Sequence, residues 1–259
     1  MGRGAMPDMG PFLRPIAHRG LHDRSAAIEE NTCAAFEAAI VAGLGIECDV
    51  RPARDGLPVV FHDETLARIV GTDDAVENLN ANAIATLRTR VGSRPIPTLD
   101  DLLALVAGRV PLLIEIKSDW TPPRLDFLRR IAASCLEYRG PVALMSFDPD
   151  VMTVLRELAP QIPRGIVSGR YYDTDGRRWW ADHIDAERAE RLANLLESGP
   201  ADVSFYAYDV SALPTPVTRY VRAVDRLPLF TWTVRTSADW SIAHAHADAP
   251  IFEKPASAD

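Results

Sequence analysis

Cysteine is scarce in this 259-residue chain: Cys33, Cys48 and Cys135 are widely spaced and odd in number. Such a set excludes a disulfide framework, and with no secretory apolar segment at the start the three read as reduced core residues. Long apolar runs are missing as well, none reaching the ~18 residues needed to span a bilayer. Positive charge is in short supply, 28 Lys and Arg against 36 Asp and Glu, for a net −8 and a pI near 5.3. Nucleic-acid binding draws on clustered Lys and Arg, so this balance argues against it, and any phosphate chemistry must rest on a few local cations. No low-complexity tract or solenoid-length repeat occurs. What remains is a soluble globular protein, expected in the cytoplasm, with 47% hydrophobic residues and length enough for a sizeable core. No stable membrane association is expected. Residues 1–13 read as a flexible segment and 14–259 as a single domain.

What is present is an alternation of short apolar runs and helical patterns. RPIAHR (14–19) is strand-like, and ENTCAAFEAAIVAG (30–43) places Cys33, Phe36, Ile40 and Val41 at helical spacing before Gly43. IECDVR (46–51) is the next strand, and Asp55-Gly56 turns the chain into LPVVFH (57–62), a hairpin arm leaning off it. Residues 63–97 are a polar excursion with one helical pattern around 82–90. IPTLDDLLALVAG (96–108) carries a helix start at Thr98 with acids at 100 and 101. Strand and helix patterns then alternate regularly to PIFE (250–253). Eight main strands, each but the last followed by a helix, within the ~250 residues typical of the architecture, predict an α/β fold of the TIM (β/α)8 type. The insertion spans 55–97, and the eighth helix is expected to be short or missing. An open doubly wound sheet shows the same alternation.

The polar residues on the strands sharpen the choice. Side chains two apart on a strand share a face, so His18 joins Ile16, Glu47 joins Asp49, His62 joins Val60 and Glu115 joins Lys117. All lie near strand C-termini, where a closed barrel assembles its active site. Bland alternatives exist: Glu47 and Asp49 as solvated edge carboxylates, Glu115 with Lys117 as a structural ion pair, either histidine as a hydrogen-bonded structural residue. Yet Glu115 sits among Leu112, Leu113, Ile114 and Ile116, and a carboxylate is seldom buried without a partner. Three carboxylates with no cysteine and no third histidine in the same pattern form an all-oxygen donor set suited to one hard divalent cation, Mg²⁺ or Ca²⁺. Two histidines supply an acid and a base near neutral pH, and Arg19 with Lys117 can hold phosphoryl oxygens. The combination points to hydrolysis of a small phosphate ester.

The sequence also resembles the glycerophosphodiester phosphodiesterase family. The resemblance rests on HRG (18–20), ENT (30–32), ECDVRPARDGLPVVFHDETLAR (47–68), IPTLDDLL (96–103), LIEIK (113–117), SF (146–147) and WTV (232–234), and runs from about 14 to 254. It implies a TIM barrel with a small insertion after the second strand. It implies His18 and His62 as the catalytic acid/base pair, Glu47, Asp49 and Glu115 as divalent-metal ligands, and Arg19 and Lys117 as phosphate contacts. Trp232 and Phe147 become an aromatic wall of the substrate cleft. Two departures fall at the mouth: Arg235 stands where the family commonly has Asn, and Phe252-Glu253-Lys254-Pro255 replaces the usual Thr-Asp-x-Pro. They bear on substrate preference more than on the reaction. The implied activity is metal-dependent hydrolysis of glycerophosphodiesters to glycerol 3-phosphate and an alcohol. A phospholipase D-like enzyme acting on lysophospholipids would use a similar site and want an apolar rim, for which the tract Tyr171–Trp180 is the candidate. A non-catalytic barrel that binds phosphoesters is the more distant alternative.

Overall fold

A computed structural model of the chain describes residues 7–254. Eight parallel strands close on themselves: β1 (Ile16–Ala17), β2 (Gly45–Pro52), β4 (Leu112–Ile116), β5 (Val142–Ser146), β6 (Arg164–Ser168), β7 (Phe205–Asp209), β8 (Leu229–Val234) and β9 (Ala249–Phe252). Closure comes from β1, which pairs with β2 on one side and β9 on the other, at Ala17↔Ile46 and Ala17↔Phe252. The open-sheet alternative is thereby excluded. Between strands run α1 (Cys33–Val41), α3 (Leu99–Val106), α4 (Leu125–Glu137), α5 (Pro149–Leu158), α6 (Ala186–Ala193), α7 (Pro216–Tyr220) and α8 (Ser237–His246). A helix after β9 would begin among residues outside those described, so the expected short or missing eighth helix falls there, as do residues 1–6.

Side-chain alternation sorts each strand into two cores. Outward residues such as Ile46, Cys48, Ile114 and Leu144 pack under helix faces carrying Phe36, Leu102 and Ile131. Inward residues fill the barrel, where Ile16, Leu113, Val167 and Ile251 cluster with the tilted Phe205–Phe230 pair, centroids 5.0 Å apart. Gly165 makes room for that pair, because a Cβ on it would lie 2.2 Å from the Phe205 ring. Met9 and Phe12 join the same interior cluster below Ile16. Within the segment 1–13 expected to be flexible, Gly10–Phe12 forms a 3-10 turn and Phe12 is only 1% exposed.

Helix starts follow their capping chemistry. Thr98 and Asp101 form the reciprocal box that the sequence announces, and Thr236 with Asp239 builds the same box for α8. The insertion holds the antiparallel β3 (Pro58–Val60) and the short α2 (Ala81–Thr86). It keeps its own small core of Val59, Phe61, Leu66, Ile69, Val76 and Ile84. α2 is shorter than the 82–90 pattern because the chain leaves helical geometry at Leu87. Cys48 and Cys135 are buried and Cys33 is half-buried, all as free thiols. Among the described residues, no helix is long and apolar enough to cross a membrane.

Candidate active site

β2 turns Glu47 and Asp49 inward at the mouth of the barrel, and β4 places Glu115 directly beside Asp49 in register. Each offers a carboxylate oxygen, the three lying within 4.8 Å of one another, and all three residues are buried. The β1–α1 loop secures them. Arg19 and Gly20 both take positive φ, which folds the loop back so that the Arg19 amide donates to Glu47 Oε2 at 2.9 Å. Asn31 grips Asp49 from both ends, donating Nδ2 to Oδ2 at 2.9 Å and accepting the Asp49 amide at 3.3 Å. Thr32 caps α1 just after it. Lys117, one of two lysines in the sequence, pairs with Asp49 at 2.8 Å and with Glu115.

The electrostatics divide the cluster. Burial, with Asp49 and Glu115 adding like charge, drives the Glu47 carboxyl well above its ordinary range. Asp49 is buried as deeply, but Lys117, His62 and Arg19 outweigh that burial and hold it well below. Glu47 Oε1 is buried with no hydrogen-bond partner. An oxygen so placed beside two more carboxylates lacks a cation or donor.

The histidines stand on opposite supports. His18 follows β1, and its Nδ1 lies 2.7 Å from Glu253 Oε1. Burial lowers its pKa despite that contact. His62 arrives on the hairpin arm that the Asp55-Gly56 turn announces. β2 runs past the barrel to Pro52, β3 returns antiparallel beside it, and the Phe61 amide bonds to Asp49 O at 3.0 Å, so His62 descends onto the cluster from above. Its Nδ1 lies 2.7 Å from Asp63 Oδ1. Arg68 then ties two supports together. It donates Nε and Nη2 to Asp63 at 2.7 and 2.9 Å, and Nη1 and Nη2 to Glu30 at 2.8 Å each. Glu30 in turn accepts from Arg19 Nη1 at 2.7 Å. Burial alone would raise the Glu30 pKa; the Arg68 and Arg19 guanidiniums instead bring it down to about 2.

A cavity of about 440 Å³ opens above these groups, lined by eight of the nine residues expected from the sequence. The ninth, Asp49, lies beneath it in the acidic cluster. A wider hollow of about 590 Å³ lies where strands begin, around Leu13, Pro228 and Asp248, away from every one of them. Phe147 and Trp232 meet edge to face at 5.3 Å on one wall. The Trp pair of the 171–180 tract folds onto them, Trp180 reaching Phe147 at 5.0 Å and Trp179 reaching Trp232 at 6.1 Å. The rings thus form one aromatic cluster with Phe147 and Trp232, with Trp180 still partly exposed beside the cavity. Glu115 does pair with Lys117, as the structural alternative held, while both still line the cavity. The supporting residues Glu30, Asn31, Asp63 and Arg68 carry no periodic signal; their only trace in the sequence is that they stand in the ENT and HDETLAR stretches.

The sequence matches the glycerophosphoryl diester phosphodiesterase family over residues 18–253. The chain belongs to that family. Among curated members, a glycerophosphodiester phosphodiesterase of Caldanaerobacter subterraneus is 32% identical over 162 residues, covering 59% of this chain and 65% of that protein. A probable glycerophosphodiester phosphodiesterase 2 of Mycobacterium tuberculosis is 39% identical over 129 residues, 47% of each chain. The chain thus matches just under two thirds of the first relative's length and about half of the second's. A solved Oleispira antarctica phosphodiesterase in complex with sn-glycerol-3-phosphate superposes with a TM-score of 0.70 at 21% identity, over 92% of both chains. A Silicibacter pomeroyi structure of the family gives 0.74 at 22%, over 97% of this chain and 92% of that one. At these identities the likeness establishes the shared TIM-barrel fold.

Proposed function

We propose that this protein hydrolyses glycerophosphodiesters to glycerol 3-phosphate and an alcohol, with His18 and His62 moving the protons. The observation that carries the reading is the facing of two carboxylate-supported histidines over a buried three-carboxylate cluster in one cavity. The donor set fits a hard divalent cation: it is all oxygen, buried, and includes the unpartnered Glu47 Oε1. Glu47, Asp49 and Glu115 would hold Mg²⁺ or Ca²⁺, which when bound supplies positive charge against the phosphoryl oxygens.

The chain's own residues supply the rest. Arg19 and Lys117 line the cavity as cations that attract and orient a phosphodiester's non-bridging oxygens. One histidine takes the proton of the attacking hydroxyl, from water or from the substrate's neighbouring glycerol hydroxyl. The other returns a proton to the departing alkoxide, so the P–O bond breaks without releasing a strong base. Phe147 and Trp232 form an apolar wall on one side of the cavity, against which the substrate would lie. His18→Ala and His62→Ala should each lower kcat by at least ~10²-fold, the lower bound for losing a general acid or base. Near-normal turnover in either, with the fold intact, removes that histidine from the role.

A further inference from the structure

Both site histidines are served by a chain of the form arginine, carboxylate, imidazole. For His62 the chain is Arg68 and Asp63, supplied within the insertion. For His18 it is built from the far end of the sequence. Arg235, next after β8, donates Nε to Glu253 Oε2 at 2.7 Å and Nη2 to Oε1 at 2.9 Å. Glu253, next after β9, places the same Oε1 at 2.7 Å from His18 Nδ1. Backbone contacts fix all three: His18 N donates to Phe252 O at 2.9 Å, Glu253 N to Val234 O at 3.0 Å, and Arg235 N to the α8-capping Asp239 carboxylate at 3.1 Å. The two departures from the family pattern at the barrel mouth are thus one interaction, and it is directed at a histidine.

The hydrogen-bond roles follow. A guanidinium only donates, so Glu253 opposite Arg235 is an ionised acceptor. Its second partner, His18 Nδ1, must then carry the hydrogen. Nε2 is left on the side of the cluster, 3.9 Å from Glu47 Oε2, where the cavity opens. Without Glu253 the ring is free to choose the other tautomer and to rotate.

We propose that Arg235 and Glu253 are a positioning pair for His18, fixing its Nδ1–H tautomer so that Nε2 faces the substrate phosphate. The proposal rests on the reading of His18 as one of the two proton-transfer groups. Arg235 acts only through Glu253, so its effect vanishes once Glu253 is gone.

The test uses full-length protein labelled with ¹⁵N-histidine, in wild-type form and as E253A, E253Q, R235A, the R235A/E253A double variant and H18A. Long-range ¹H–¹⁵N spectra report the tautomer, with the His18 signals assigned by their loss in H18A. Initial rates on glycerophosphocholine report kcat and KM separately. The expected result is an Nδ1–H signature for His18 in wild type that is lost in E253A. With it, kcat should fall by ~10-fold or more while KM stays within about threefold. E253Q, which keeps a carbonyl acceptor and the side-chain volume, should recover part of kcat. R235A should cost less than E253A, and the double variant no more than E253A alone. An unchanged tautomer in E253A, or losses that multiply in the double variant, would overturn the pair. If H18A is inactive while E253A keeps wild-type kcat, the pair alone fails; if H18A itself keeps wild-type kcat, the reading of the site fails with it.

Discussion

Arg68→Ala would remove one side chain from the insertion and loosen two site residues at once. Arg68 makes four charge-assisted contacts, two to Asp63 beneath His62 and two to Glu30 beneath Arg19. Such bonds contribute roughly 1.5–3 kcal/mol each when desolvated, but the Arg68 side chain is 42% exposed, against 12% for Glu30 and 22% for Asp63. Discounting for solvent screening leaves about 2 kcal/mol for the whole clamp. At 2–4 °C per kcal/mol for a domain of this size, Tm should drop by about 4–8 °C. The effect on turnover should be larger in proportion, roughly tenfold or more in kcat, because Asp63 then orients His62 with no arginine holding it. Arg68→Lys, which keeps the charge but not the planar fork, should fall between. Glycerol 3-phosphate release followed through a coupled dehydrogenase, beside a thermal melt of each variant, measures both. A variant with kcat within twofold of wild type and an unchanged melt would show that Arg19 and His62 hold their places without the clamp.

Two further outcomes concern the barrel interior and the acidic partner of the Arg68 clamp. Gly165→Ala would push a Cβ to 2.2 Å from the Phe205 ring in the barrel interior, and overpacking of that kind costs about 1–3 kcal/mol; a melt within 1 °C of wild type would mean that the Phe205–Phe230 pair has slack. Glu30 has its pKa lowered from 4.5 to about 2, worth up to about 3 kcal/mol of stability. Because the folded value is the lower one, that contribution is complete above pH 4.5 and lost as pH falls towards about 2. The stability gap between wild type and Glu30→Gln should close over that window, and a gap constant with pH would contradict the ion pairing.

The strands and helices were legible because burial imposes periods of two and 3.6 on the sequence, and the inward polar residues stood out against those periods. Glu47, Asp49, Glu115 and His18 could be placed at the mouth on that ground alone. His62 needed more, since it sits on an arm that runs against the barrel, and only the turn at Asp55-Gly56 hinted at it. The groups that hold these residues left no such trace. Glu253 meets His18 only because the last strand closes on the first, and no local pattern encodes that meeting. Arg68 reaches Asp63 five positions away and Glu30 across 38 positions by side-chain reach alone. Phe12 was missed because a single ring in a Gly- and Pro-rich start has no period, although it joins the interior cluster of the barrel. The two tryptophans at 179 and 180 read as a candidate apolar rim, and their contacts with Phe147 and Trp232 depend on loops meeting in the fold.

The most direct measurement is glycerol 3-phosphate release from glycerophosphocholine and glycerophosphoethanolamine by the purified protein with Mg²⁺, with Ca²⁺, or with EDTA. The proposed function predicts release with one of the cations, loss in EDTA, and recovery when that cation is returned. Undiminished release in EDTA would contradict the role given to Glu47, Asp49 and Glu115, and no release by folded protein under any of the three conditions would contradict the activity itself.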